Sequence, residues 1–151
     1  MPRDGFSELY GQVPGENPGL DEAWRLTGGN SRLLGVLYEN DWDAEKVARL
    51  IMRSKNLAEL VAELDADEKQ ALLKTIEDTD YLWRNRRKYK HLVERLVELN
   101  MIVDNLHDRS PDAWIDKPPP ERDQKLGIGR YVAWQTPLHR EALRRALEHH
   151  N

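Results

Sequence analysis

Apolar residues recur at helical spacing over most of the chain. Leu33, Leu34, Leu37 and Tyr38 form one stripe, and Val47, Leu50 and Ile51 form a second. Leu57, Leu60, Val61 and Leu64 form a third, and Leu72, Leu73 and Ile76 a fourth. Cap residues divide these stripes into separate helices. Asp21 and Glu22 stand in the first turn of a helix over 20–27, where acids suit the helix dipole. Gly28-Gly29 stops it, and Asn30 or Ser31 caps the next. Asp43 caps a helix over 44–55. Asp65 with Glu68 three residues on reads as a capping box. An all-α half is therefore predicted to run to about Asp78. The segment before Leu20 holds Gly5, Gly11, Gly15 and Gly19 with Pro2, Pro14 and Pro18. It is expected to be loop-rich, with Phe6, Leu9, Tyr10 and Val13 as anchors onto a neighbouring surface.

Beyond Asp78 the pattern changes. Tyr81 to Trp83 reads as a short helix. Tyr89, Leu92, Val93, Leu96 and Val97 define an amphipathic helix over 87–98. Met101-Ile102-Val103 reads as a strand, Asn105 to Ser110 as a turn, and Trp114-Ile115-Asp116 as a second strand. Pro118-Pro119-Pro120 interrupts regular structure, because each proline lacks a donor. Arg130 to Gln135 reads as a third strand after Gly127-Ile128-Gly129. Thr136 caps a last helix with Pro137 at its favoured first position; its stripe is Leu138, Ala142, Leu143, Ala146 and Leu147. Helix, short helix, amphipathic helix, strand, long loop and strand is the order of a winged helix. The expected fold is thus mainly α: a loop-rich, small helical lid-like part over 1–57, then a winged-helix (α+β) domain over 58–151.

Composition sharpens this picture at a few points. The chain has 151 residues, enough for one ordinary domain, with 33% charged residues and a net charge of −4. An acidic balance argues against wholesale coating of nucleic acid but leaves room for a local basic face. The chain contains no cysteine, so disulfides, thiolate metal sites and thiol nucleophiles are excluded. That absence, with many charged residues, also suits a thermophilic source. No apolar run approaches the ~20 residues of a membrane span, and no signal-peptide core follows the N-terminus. The expectation is a cytoplasmic protein without a membrane partner.

The string Trp24-Arg25-Leu26-Thr27-Gly28-Gly29-Asn30-Ser31-Arg32-Leu33-Leu34-Gly35 resembles the Thr-Gly-Gly-Asn-Pro-Arg signature of archaeal P-loop ATPases of the AAA+/STAND type. Further likeness lies in Pro118-Pro119-Pro120-Glu121-Arg122-Asp123, in Leu126-Gly127-Ile128-Gly129, and in Ala133 to Ala142. The resemblance extends from about Leu9 to Leu147. It implies a helical lid followed by a C-terminal winged helix, in proteins whose core binds ATP and magnesium. Ser31 stands where the family usually has proline. The chain has no Gly-x-x-x-x-Gly-Lys-[Ser/Thr] loop to hold phosphates, and no strand ending in paired acids for magnesium. It begins roughly where such a core would end. No catalytic residue, metal site or cofactor is therefore assigned to it; ATP and magnesium belong to the full-length relatives the resemblance implies.

Two candidate sites remain. Gly28, Gly29, Asn30 and Arg32 either present helix-terminal amides to a nucleotide or form a plain helix stop and N-cap. Arg84, Arg86, Arg87, Lys88, Lys90, His91 and Arg95 form the densest basic run, with Lys88, His91 and Arg95 expected on one helix face away from Leu92 and Leu96. Such a face suits phosphate contacts to double-stranded DNA. It equally suits a solvated surface neutralised by Asp78, Asp80, Glu94 and Glu98. The leading expectation is a nucleic-acid-binding or regulatory module; the alternative is a protein-interaction module that docks an ATPase core supplied in trans or another subunit. The five tryptophans (Trp24, Trp42, Trp83, Trp114, Trp134) read as packing residues, with Trp114 near the wing. His149-His150 reads as a frayed end. The pairs Asp41/Asp43 and Asp65/Asp67 read as helix-start residues, not catalytic carboxylates.

Overall fold

The computed structural model describes residues 3–15, 18–104 and 123–149. Among these residues lie α1 (Arg3–Gly11), α2 (Leu20–Thr27), α3 (Ser31–Glu39), α4 (Ala44–Ser54), α5 (Leu57–Ala62), α6 (Ala66–Glu77), α7 (Tyr81–Arg84), α8 (Lys90–Glu98) and α9 (Pro137–His149). Two short strands, β1 (Ile102–Val103) and β2 (Ala133–Trp134), pair antiparallel with Ile102 opposite Trp134. The protein is mainly helical, with one small sheet among the described residues. The expected strand at Trp114 and most of the expected wing lie outside the described residues.

The caps sit where the side-chain chemistry puts them. Asn30 Oδ1 accepts from the Leu33 amide at 2.9 Å, and Asp43 Oδ1 from the Lys46 amide at 3.1 Å. Asp65 and Glu68 form a reciprocal capping box at the start of α6. The Thr136 hydroxyl accepts from the His139 amide at 3.2 Å, opening α9. Gly28 takes the left-handed conformation with φ 61°, and a Cβ there would meet Pro137 Cδ at 3.1 Å. The end of α2 is therefore pressed against the start of α9, and glycine suits the position on both counts.

Three expectations change. The segment 3–11 is a helix and not a loop, because Phe6, Leu9, Tyr10 and Val13 recur at i, i+3, i+4 and i+7 and supply one apolar face. Phe6 is fully buried, its ring edge-on to Trp24 at 5.3 Å. Tyr10 meets Trp42 edge-on and donates its hydroxyl to the Pro18 carbonyl. The amphipathic helix begins at Lys90 instead of Arg87, since residues 85–89 form a turn in which the Lys88 and Tyr89 amides both reach the Asn85 carbonyl. The strand expected over 130–135 contracts to Ala133–Trp134, because the amides of Arg130, Tyr131 and Val132 are drawn away from any ladder.

That diversion comes from Asp80. The residue is 2% exposed, and its carboxylate accepts from Arg130 N at 2.8 Å, Tyr131 N at 2.9 Å and Val132 N at 3.3 Å. A Cβ at Gly129 would overlap this carboxylate. Around the clamp, Gln124 Oε1 accepts from the buried Thr79 hydroxyl at 2.9 Å. Arg140 of α9 donates to the carbonyls of Gln124 and Lys125 at 2.7 and 2.8 Å. Gly127, at φ 75°, leaves room for Trp134, whose Cδ1 would lie 2.9 Å from a Cβ.

The main core runs from Leu33 of α3 to Leu147 of α9, and so takes in residues on both sides of the division expected at 57/58. α9 is its axis. Leu138, Ala142, Leu143, Ala146 and Leu147 are buried against α4, α5, α6 and α2. Ala142 and Ala146 keep that face narrow, so neighbouring helices approach closely. A satellite cluster of Phe6, Ala23 and Leu34 holds α1.

Two outcomes test this architecture. Gly129→Ala is expected to cost about 2 kcal/mol in urea unfolding, the cost of forced overpacking. In an Asp80→Ala background, itself destabilised by about 3 kcal/mol through three stranded amides, the same change should cost little; additive effects would show that the clamp is not the cause. Phe6→Ala is expected to abolish amide-exchange protection over residues 3–11 while protection in α4, α8 and α9 persists.

Candidate functional site

Seven basic positions were expected to form one phosphate-facing surface. The fold gives most of them a carboxylate partner. The acidic first turn of α6 lies against the start of α8: Lys88 Nζ is 3.1 Å from Asp67 Oδ2, and His91 Nε2 is 2.5 Å from Glu68 Oε2. Glu68 also receives the Asp65 amide at 3.1 Å, so one side chain closes the capping box and meets α8. Tyr89 keeps its ring in the core and donates its hydroxyl to Asp67 at 2.8 Å. That bond, then Lys88, holds the Asp67 carboxyl below its ordinary pKa. Arg84 pairs with Asp78, Lys90 with Glu94 at 3.8 Å, and Arg95 with Glu98 at 3.8 Å. Arg86 lies over the Trp83 ring at 4.8 Å. Arg87 is exposed and makes no ion pair among the described residues. Lys88 precedes the helix, so the expected face of Lys88, His91 and Arg95 is divided between a turn and α8.

The second candidate, Gly28, Gly29, Asn30 and Arg32, separates into two parts. The Gly28 amide donates to the Trp24 carbonyl at 2.8 Å, Gly29 to the Thr27 hydroxyl at 3.2 Å, and Asn30 to the Thr27 carbonyl at 3.1 Å. All three amides are occupied within the turn that joins α2 to α3. Asn30 and Arg32, by contrast, line a groove of about 480 Å³ between α3, α4 and the start of α9. Its floor is Leu33, Val36, Val47, Leu50 and Ile51. Its rim holds Arg32, Ser54, Lys55, Asn100, Gln135, Thr136 and His139.

The groove lining contains no carboxylate. Arg32 and Lys55 make no ion pair among the described residues. Leu50, expected in the buried stripe of α4, is 38% exposed, and Tyr38 of α3 is 40% exposed. His139 Nδ1 lies 2.6 Å from the Thr136 hydroxyl. Burial, then the charge of Lys55, pushes the His139 pKa from 6.5 down to about 4. The groove was not legible in the sequence. Its residues come from four separate stretches, and the only local signal was an apolar stripe on α4 wider than its buried set of Val47, Ala48 and Ile51.

Among the described residues there is no cluster of three metal-capable side chains, and no helix is long and apolar enough to cross a membrane. Trp24 and Trp134 pack as expected, Trp83 stacks on Tyr131 at 6.5 Å, and Trp114 lies outside the described residues. Asp43 and Asp65 act as caps.

The His139 shift sets a pH dependence. The unfolded state binds a proton near the ordinary pKa of 6.5 and the folded state only near 4. Stability is therefore fully present above pH 6.5 and falls as pH drops towards 4. The loss is at most about 3 kcal/mol, since one pKa unit corresponds to ~1.4 kcal/mol. Urea unfolding of wild type and His139→Gln between pH 7 and pH 4 is expected to show a shallower acid slope in the variant; parallel slopes would remove His139 from the account.

Comparison with known protein families, with curated proteins and with solved structures finds no match to this chain.

Proposed function

We propose that this chain is a non-catalytic docking module: a helical lid-like part and a winged helix of the archaeal AAA+/STAND ATPase type, engaging an ATPase core or another protein subunit. The observation that carries the reading is the distribution of charge. The basic run at 84–95 is largely matched by carboxylates of its own chain, whereas Arg32 and Lys55 at the α3–α4 groove make no ion pair among the described residues and border an apolar floor. Unpaired charge beside exposed apolar surface suits a protein partner better than a phosphate backbone. The winged-helix reading draws support from the order α6, α7, α8, β1, β2, with the two strands antiparallel.

A second reading, contact with double-stranded DNA through Arg84, Arg86, Arg87, Lys88, Lys90, His91 and Arg95, has one specific observation in its favour. The basic side chains in these pairs are largely exposed, as with Lys88 at 67% and Lys90 at 79%. Exposed pairs contribute only about 0–1 kcal/mol, so phosphates can displace the carboxylates.

Titration of labelled duplex at about 50 and 200 mM salt separates the readings. Under the docking reading, wild type shows negligible affinity at both, and Lys88→Glu/Arg95→Glu changes nothing. Salt-dependent binding that the double variant loses would overturn the docking reading in favour of DNA.

A further inference from the structure

We infer that the groove between α3 and α4 is the docking site for an acidic amphipathic helix of a partner protein. This rests on the docking reading above and adds the surface used and the chemistry of what fills it. The floor is apolar, formed by Leu33 and Val36 of α3 and Val47, Leu50 and Ile51 of α4. Leu50 leaves more than a third of its surface to solvent in the isolated chain. A helix that lays apolar residues at i, i+3 or i+4, and i+7 along such a floor removes that surface from water.

Charge complementarity selects the partner's sign. Arg32 and Lys55 stand on the rim, and Lys46 and Arg53 flank Leu50 one turn to either side on α4. None of these four makes an ion pair among the described residues. The neighbouring acids of α4 are engaged: Asp43 caps the helix, and Glu45 meets Arg49 at 3.8 Å and Arg145 at 3.1 Å. Glu39, at the end of α3, does not line the groove. In a chain of net charge −4, this is a concave surface edged by unpaired positive charge. From Lys46 to Arg53 the flank of α4 beside the groove extends about 10 Å at ~1.5 Å per residue. Two helical turns of a partner match that length, with carboxylates on both flanks of its apolar stripe. A bare phosphate or a nucleic-acid strand would leave the apolar floor unfilled.

The test is an amide-resolved NMR titration of the whole chain with three synthetic 14-residue helices. One carries Leu at the stripe positions and Glu on the flanks. The second replaces Glu by Lys, and the third replaces Leu by Ser. The acidic amphipathic peptide is expected to give saturable shifts in α3, α4 and the start of α9, weakening as salt rises. The other two peptides should bind at least tenfold more weakly. Arg32→Glu/Lys55→Glu should lower the affinity at least tenfold with an unchanged circular-dichroism melt. Leu50→Ser, at a position already exposed, serves as a second variant with the same expected loss. Equal binding of the acidic and basic peptides, or full affinity in both variants, overturns the inference. A duplex DNA arm on the same sample separates it from the reading beneath it. No shifts from peptide or DNA would end the groove assignment alone, and salt-dependent DNA shifts over residues 84–95 without peptide binding would end both.

Discussion

The carboxylate of Asp80 is the contact on which the C-terminal half depends. It closes the corner between α6 and α7 and holds three consecutive amides of the returning chain, about fifty residues away in sequence. A buried carboxylate is tolerated only when hydrogen bonds replace its hydration, and this one receives three. The geometry also dictates its surroundings. Gly129 must lack a Cβ, and Thr79 and Arg140 bind the flanking 3-10 turn at Gln124–Leu126. With the loop pinned, β2 meets β1 in a single register and Trp134 enters the core. Thr136 then opens α9 directly against Gly28.

α9 carries that constraint across the molecule. Its apolar face is buried against helices on both sides of residue 57, and its polar face is organised by Glu141, which Arg144, then Arg145, holds below the usual carboxylate pKa. Arg145 continues to Glu45 of α4 at 3.1 Å. The start of α9 also supplies Thr136 and His139 to the groove rim. The groove is thus assembled from the same helix packing that builds the core, and a shift of α9 would change both.

Charge has two roles on this surface. Around α6 and α8 the acids and bases answer one another, so the basic run serves the chain's own tertiary structure. Lys88, Tyr89 and His91 meet Asp67 and Glu68 because the N-terminus of one helix faces the start of the other. Around α3 and α4, Arg49 meets Glu45, but Arg32, Lys46, Arg53 and Lys55 make no ion pair among the described residues. A density of Lys and Arg along a sequence measures neither case, since net local charge depends on which acids fold against them.

Most helices were legible because their information is local. Asn30, Asp43, Asp65 and Thr136 satisfy amides three residues away, and stripes such as Leu92, Val93 and Leu96 define the buried face within one helix. α1 was misread because its glycines outweighed a helical stripe that gains stability only when Phe6 meets Trp24 and Leu34. The clamp had no local signature and the groove only the wide apolar stripe of α4: Leu50 looked like core, and Asp80 looked like surface charge. By itself the sequence determined the capped helix starts, most of the apolar faces and the charge inventory, because each rests on neighbours within a turn or two. Tertiary structure alone decided which charges are paired, which apolar residue stays open and which carboxylate is buried, because those properties depend on elements brought together from distant parts of the chain.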